Sequence, residues 1–227
     1  MKTGYLLHDR QYQKRRAAGK LGWGNADDVA DNSSKLGATL AADYYPKSGR
    51  VLELGCGAGD LSLELARRGY EVSGVDIAPA AIAWARDKAR ERGLNADFQV
   101  GSVLDLASYA DASFDIALDG YCLHCIIGED RPKFYAAARR VLKPGGLLHI
   151  NTMWADDLLT EESLGGYDPE TRCQIWDGVA LRYFGLPEEL LAEVTAAGFE
   201  IVQSQVCPRP HLNHSAMLLI DARKPLD

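Results

Sequence analysis

Glycine alternates with other residues from Gly55 through Gly57 to Gly59, and a carboxylate stands on each flank, Glu53 before and Asp60 after. The apolar run Arg50–Leu54 leads into this turn, and helical spacing of Leu61, Leu65 and Ala66 follows it. A strand that runs into a glycine turn and opens a helix lets the backbone fold sharply and lets a ligand come close. Asp76 closes the next strand-like run, Glu71–Ile77, at the distance where an acid meets ribose hydroxyls. The arrangement is one that binds an adenosine-containing cofactor.

Two features decide against a dinucleotide. The spacing is G-x-G-x-G rather than G-x-G-x-x-G, because position 60 is Asp. A pyrophosphate on a helix N-terminus also wants amides and positive charge. Glu53 and Asp60 would repel it. They would attract a cofactor with a sulfonium and an ammonium group and no phosphate, which describes S-adenosylmethionine.

A second concentration of reactive side chains runs from Asp119 through Gly120, Tyr121, Cys122, Leu123 and His124 to Cys125. His124 titrates near neutrality and suits a general base, and Tyr121 suits orienting an acceptor. The run has no Asn/Asp-Pro-Pro-Tyr motif, and Cys207-Pro208 reverses the order of a Pro-Cys nucleophile. Cys122 and Cys125 form C-x-x-C, with Cys173, Cys207, His211 and His214 elsewhere, but no zinc-type pair of such elements exists and no metal is expected. Asp156-Asp157 reads as a solvated acidic turn. Trp23, in a Gly-Trp-Gly segment, is placed to close over the cofactor.

The elements that hold these residues alternate. Strands are expected at 50–54, 71–77, 98–103, 114–118 and 147–153, and helices at 60–68, 79–92 and 131–142. That alternation predicts βαβ units and a parallel sheet with helices on both faces, an α/β doubly wound, Rossmann-like fold. Asn32–Tyr45 is an earlier helix, and Lys143-Pro144-Gly145-Gly146 reads as a turn. Residues 154–185 read as an irregular insertion. A helix over 187–197 and strands over 199–206 and 216–222 follow, the last pair joined closely enough for a hairpin, so the last strand should run antiparallel. The expected organisation is an N-terminal helical arm or lid over 1–48 and one domain over 49–227.

Composition sets the outer limits. The chain has 227 residues, 47% of them hydrophobic, and a net charge of −7. Acidity argues against a nucleic-acid partner. No apolar run approaches a membrane span, and no secretory signal is evident. Five scattered cysteines read as reduced thiols, so a cytoplasmic location is expected. The oligomeric state is not legible.

Leu-Glu-Leu-Gly-Cys-Gly-Ala-Gly, then Gly-Val-Asp, then Arg-Arg-Val-Leu-Lys-Pro-Gly-Gly, over roughly residues 48–223, resembles the class I S-adenosylmethionine-dependent methyltransferase family. The resemblance implies a seven-stranded, mostly parallel sheet whose last strand is antiparallel. It implies that Gly55, Cys56 and Gly57 lie under the methionine part of the cofactor, with Glu53 near the ammonium and Asp76 on the ribose. It implies Ile77 on the adenine and Ser102 and Val103 at its edge, Ser102 standing where many members have an acid. Asp119, Gly120 and Tyr121 would border the methyl-transfer pocket. The expected activity is methyl transfer to O, N or S of a small molecule. An aminopropyl transferase, a non-catalytic binding protein and, further off, an NAD-dependent oxidoreductase remain the alternatives. The acceptor pocket is expected from Tyr121, His124, the 154–185 insertion with its Trp154, Trp176, Arg172, Arg182 and Tyr183, and the Cys207–His214 hairpin.

Overall fold

The structure is a computed structural model that describes residues 2–209 and 215–226. In chain order the elements are α1 (Leu7–Ala17), α2 (Ala26–Ala41), β1 (Arg50–Leu54), α3 (Asp60–Arg67), β2 (Glu71–Asp76), α4 (Pro79–Arg92), β3 (Asp97–Val100) and β4 (Phe114–Gly120). A single 3₁₀ turn, Leu123–Cys125, precedes α5 (Asp130–Val141) and β5 (Leu142–Met153). Then come β6 (Tyr167–Asp168), β7 (Cys173–Trp176), β8 (Val179–Tyr183), α6 (Pro187–Ala196), β9 (Glu200–Cys207) and β10 (Met217–Arg223).

Seven strands form the main sheet in the order β3-β2-β1-β4-β5-β10-β9. The first five run parallel, and β10 is antiparallel to both β5 and β9, as the hairpin argument required. The central strands are buried on both sides, and their alternation assigns each residue to a face. Leu52, Leu54, Ala117, Leu148 and Ile150 pack against Phe134, Ala138 and Val141 of α5 and Leu190 of α6. Val51, Ile116, Leu118 and Leu147 pack against Leu36 and Leu40 of α2 and Leu65 of α3. Glu53 is on that second face. The fold is the expected doubly wound α/β sheet.

Several local expectations are corrected. The arm holds two helices, not one. Helix α2 starts at Ala26 because Asn25 and Asp28 form a capping box, each side chain accepting from the other's backbone N–H at 3.0 and 2.8 Å. Lys143-Pro144-Gly145-Gly146 belongs to β5 and pairs with the C-terminal segment, the Gly145 N–H donating to the Lys224 carbonyl at 2.9 Å. Strand β3 stops at Val100. The segment over 154–185 is ordered: β6, β7 and β8 form a three-stranded antiparallel sheet.

Candidate active site

The carboxyl ends of the parallel strands open onto one cavity of about 1260 Å³. In an open α/β sheet this is where ligands bind. Glu53, Gly55, Cys56, Gly57, Asp76, Ile77, Ser102, Val103, Gly120, Tyr121, His124 and Trp23 all line it. The fold therefore gathers these sequence-predicted positions from five separate segments.

The glycine turn is built for closeness. Gly55, Gly57 and Gly59 have φ of +69°, +52° and +78°, a region that side chains disfavour. A Cβ on Gly55 would lie 2.6 Å from the Cys122 sulfur, and one on Gly59 2.9 Å from Ala85 and Phe98. Gly59 therefore serves the close packing of the turn against α4 and β3, and Gly55 the approach of the loop after β4. Asp60 caps nothing with its side chain; its Oδ1 accepts from Lys88 Nζ at 2.7 Å.

Asp76 stands at the tip of β2 with both oxygens fixed. The Gly57 N–H donates to Oδ2 at 2.9 Å and the Ala78 N–H donates to Oδ1 at 2.8 Å. One amide on each oxygen leaves further lone pairs, and the carboxylate lines the cavity. Burial raises its pKa.

Glu53 is 2% exposed, and the Ser62 hydroxyl donates to its Oε2. Its Oε1 lies opposite Gly120, where a Cβ would come within 2.7 Å. Burial pushes the Glu53 carboxyl up to about 8. Asp119 is fully buried and its pKa rises to about 7 for the same reason. The Cys122 and Leu123 N–H groups donate to its Oδ1, each at 2.9 Å, while Oδ2 has no hydrogen-bond partner among the described residues. Asp119 is the one predicted site residue that stands behind the wall of the large cavity; it borders a smaller cavity of about 340 Å³.

The raised carboxyl pKa values come from burial, which disfavours the charged form. A cationic ligand would restore the ionised form. Glu53 and Asp76, which line the cavity, thus fit a group carrying ammonium and sulfonium charges, and they are unsuited to a pyrophosphate. The fit comes from the chain's own buried acids.

His124 sits in the 3₁₀ turn after β4, 5% exposed, with its Nδ1 buried and without a partner among the described residues. Burial, with Arg182, His8 and Arg131 nearby, lowers its pKa to about 3. The imidazole is neutral at working pH. It can donate or accept one hydrogen bond, but it is too weakly basic to match the usual tuning of a general base towards neutrality. Arg131, 4% exposed, fixes this turn: its guanidinium donates to the carbonyls of Leu123 and Ile126 at 3.1 and 2.9 Å and forks onto Glu193.

The arm covers the cavity with a stripe that the sequence reading missed. Tyr5, His8 and Tyr12 all line the cavity, and their spacing of three and four residues was the available signal. Trp23 lies against His8 and Tyr12, with ring centroids 5.6 and 5.2 Å apart, and Arg15 covers it at 4.7 Å. At 37% exposed, Trp23 is no core anchor. A Cβ on Gly57 would collide with the Tyr12 hydroxyl, so helix α1 reaches down to the glycine turn.

Of the five insertion side chains expected in the acceptor pocket, only Arg182 lines the cavity. Arg172 pairs with Glu189, Tyr183 lies under Arg131, and Trp176 is 69% exposed. Cys207, Pro208 and Ser215 contribute from the hairpin, whose residues 210–214, including His211 and His214, lie outside the described residues. Asp156 is no open acidic turn, since Arg209 binds it through two nitrogens.

A family model described as a methyltransferase domain matches residues 51–146. The chain is 37% identical over 114 residues to a ubiquinone biosynthesis O-methyltransferase of Xanthomonas axonopodis pv. citri, covering 50% of this chain and 47% of that one. It is 34% identical over 158 residues to a protein of the same name from Idiomarina loihiensis, covering 66% and 61%. The chain thus spans about half to three-fifths of the length of these curated relatives. Among solved structures, a SAM-dependent methyltransferase from Methanosarcina mazei superposes with a TM-score of 0.67 at 28% identity, over 82% of this chain and 96% of that one.

Proposed function

The chain belongs to the class I S-adenosylmethionine-dependent methyltransferase family, and from that premise we propose that it methylates an O, N or S atom of a small molecule. The observation that carries the reading is Glu53, a buried acid on the cavity wall at the end of β1 whose pKa burial pushes up, with Asp119 buried behind that wall at the end of β4. S-adenosylmethionine would supply an electrophilic methyl group on a sulfonium that is already a good leaving group.

The chain's own residues then have separable roles. Asp76 holds the ribose with the lone pairs that Gly57 and Ala78 leave free. Gly55 and Gly57 admit the methionine part, and Ile77, Ser102 and Val103 border the base. Tyr121 and His124 face the acceptor, and the neutral His124 orients it by one hydrogen bond. Alignment alone can contribute about 7–11 kcal/mol to such a displacement. Residues 1–48 act as the lid, Tyr12 and Trp23 shielding the cavity from water, and 49–227 as the catalytic domain.

The acceptor is a small molecule in this reading, matching the small-molecule chemistry named for the relatives. A cytoplasmic location accords with the reduced cysteines, and no helix among the described residues is long and apolar enough to cross a membrane. The test is incubation of the chain with methyl-labelled S-adenosylmethionine and fractionated cell extract. Label in a low-molecular-mass product supports the proposal, whereas label confined to nucleic acid or protein opposes it.

A further inference from the structure

The cavity wall carries both signs of charge, among them Lys35, Asp60, Arg67 and Arg92. Its β1 and β2 side carries Glu53 and Asp76, and its far side, beyond β4, carries Arg182 from β8 beside His124 and Cys125. Arg182 forms no ion pair among the described residues. Among the described residues its side chain makes one hydrogen bond, a long one, Nη1 donating to Gln174 Oε1 at 3.5 Å. Next to it, the His124 ring is buried, its Nδ1 without a partner among the described residues. Both groups are costly to hold half-desolvated without partners. The strongest partner for a guanidinium is a carboxylate, taken through two parallel N–H donors.

The small sheet that carries Arg182 is anchored for this purpose. Arg131 stacks on the neighbouring Tyr183 at 4.8 Å while its nitrogens grip the His124 turn and Glu193. One buried side chain therefore fixes the strand of Arg182 and the turn of His124 relative to each other. The wall supplied by the arm is aromatic, through Tyr5, His8 and Trp23.

Resting on the methyl-transfer reading, we infer that the acceptor is a planar carboxylate, its anion held by Arg182 and its polar edge by the neutral His124. Charge balance is consistent with this assignment. The acids at one end meet a cationic cofactor, and the cation at the other end meets an anionic acceptor. A neutral acceptor would leave the half-buried Arg182 without a charge partner among the described residues.

The smallest planar probe is benzoate, with benzamide as its uncharged counterpart. Calorimetric titration of the chain saturated with S-adenosylhomocysteine should show benzoate binding at least ten-fold more tightly than benzamide. In Arg182→Gln the two should fall within two-fold of each other, with affinity for S-adenosylhomocysteine kept as evidence of an intact fold. Trp176→Ala, on the same small sheet but pointing to solvent, should keep the preference. Equal affinity for the two probes, binding of neither, or a preference that survives in Arg182→Gln would overturn the assignment. If S-adenosylhomocysteine itself does not bind, the methyl-transfer reading fails instead, and the same titration on the free chain still decides the anion site.

Discussion

The Tyr121 hydroxyl donates to Asn32 Oδ1 at 2.7 Å, tying the loop after β4 to helix α2 of the arm. The Tyr121 backbone has φ +69°, a left-handed conformation that a bulky residue rarely adopts. Such a conformation persists only where its surroundings hold it, and it clusters at functional sites.

Tyr121→Phe removes this half-buried hydrogen bond, a loss of about 1 kcal/mol. The arm should loosen, seen as several-fold faster amide hydrogen exchange across α2. Exchange identical to the parent chain would show that the arm is held elsewhere.

Asp76→Ala should weaken S-adenosylhomocysteine binding about ten- to a hundred-fold, because charge-assisted hydrogen bonds contribute about 1.5–3 kcal/mol each. The variant also orphans the amides of Gly57 and Ala78, so Tm should fall with it. Fluorescence titration and thermal melts read the two effects. An unchanged Kd would remove Asp76 from the ribose.

This glycine turn and its acids were legible because each position there satisfies a strict local demand: positive φ at Gly55 and Gly57, and a partner for a buried carboxylate at Asp76. The strands of the main sheet were legible through their apolar runs. Helix α1 was not, since LHDRQYQKRRA buries only Tyr12 and shows no apolar period. The insertion was not, because β6–β8 are short and half-exposed and owe their form to pairing across residues 167–183. Arg182 was one of five candidates, and only the folded course of the insertion, with the alternation of side chains along β8, separates it from Arg172, Trp154, Trp176 and Tyr183.

Stability of the ligand-free chain should fall as pH rises from about 6.5 to about 8. Glu53 and Asp119 titrate at about 8 and about 7 in the folded chain, against 4.5 and 3.8 ordinarily, so the native state keeps protons that the unfolded chain has lost. Below about 6.5 the opposite slope enters from His124, which stays neutral down to about 3 when folded. Denaturant melts across this range should show the decline, Glu53→Gln should flatten it, and S-adenosylmethionine should raise Tm more at pH 8 than at pH 6.5. A flat profile in the parent chain would contradict the buried acids.

His124→Ala should lower kcat while leaving cofactor affinity within two-fold, and Arg131→Lys, which keeps the charge but loses the fork on Leu123, Ile126 and Glu193, should do the same with a fall in Tm. Because His124 does not titrate near neutrality, the pH profile of kcat/KM should show no inflection near 6.5 that disappears in His124→Ala. Such an inflection would make His124 a general base after all.

The most direct measurement is calorimetric titration with S-adenosylmethionine, S-adenosylhomocysteine and NADH, run at pH 7 in two buffers of different ionisation enthalpy. Both S-adenosyl compounds should bind and release protons, as the ligand's ammonium drives Glu53 on the cavity wall to ionise, and NADH should not bind. Binding of NADH with neither S-adenosyl compound would contradict the account and point to a dinucleotide oxidoreductase.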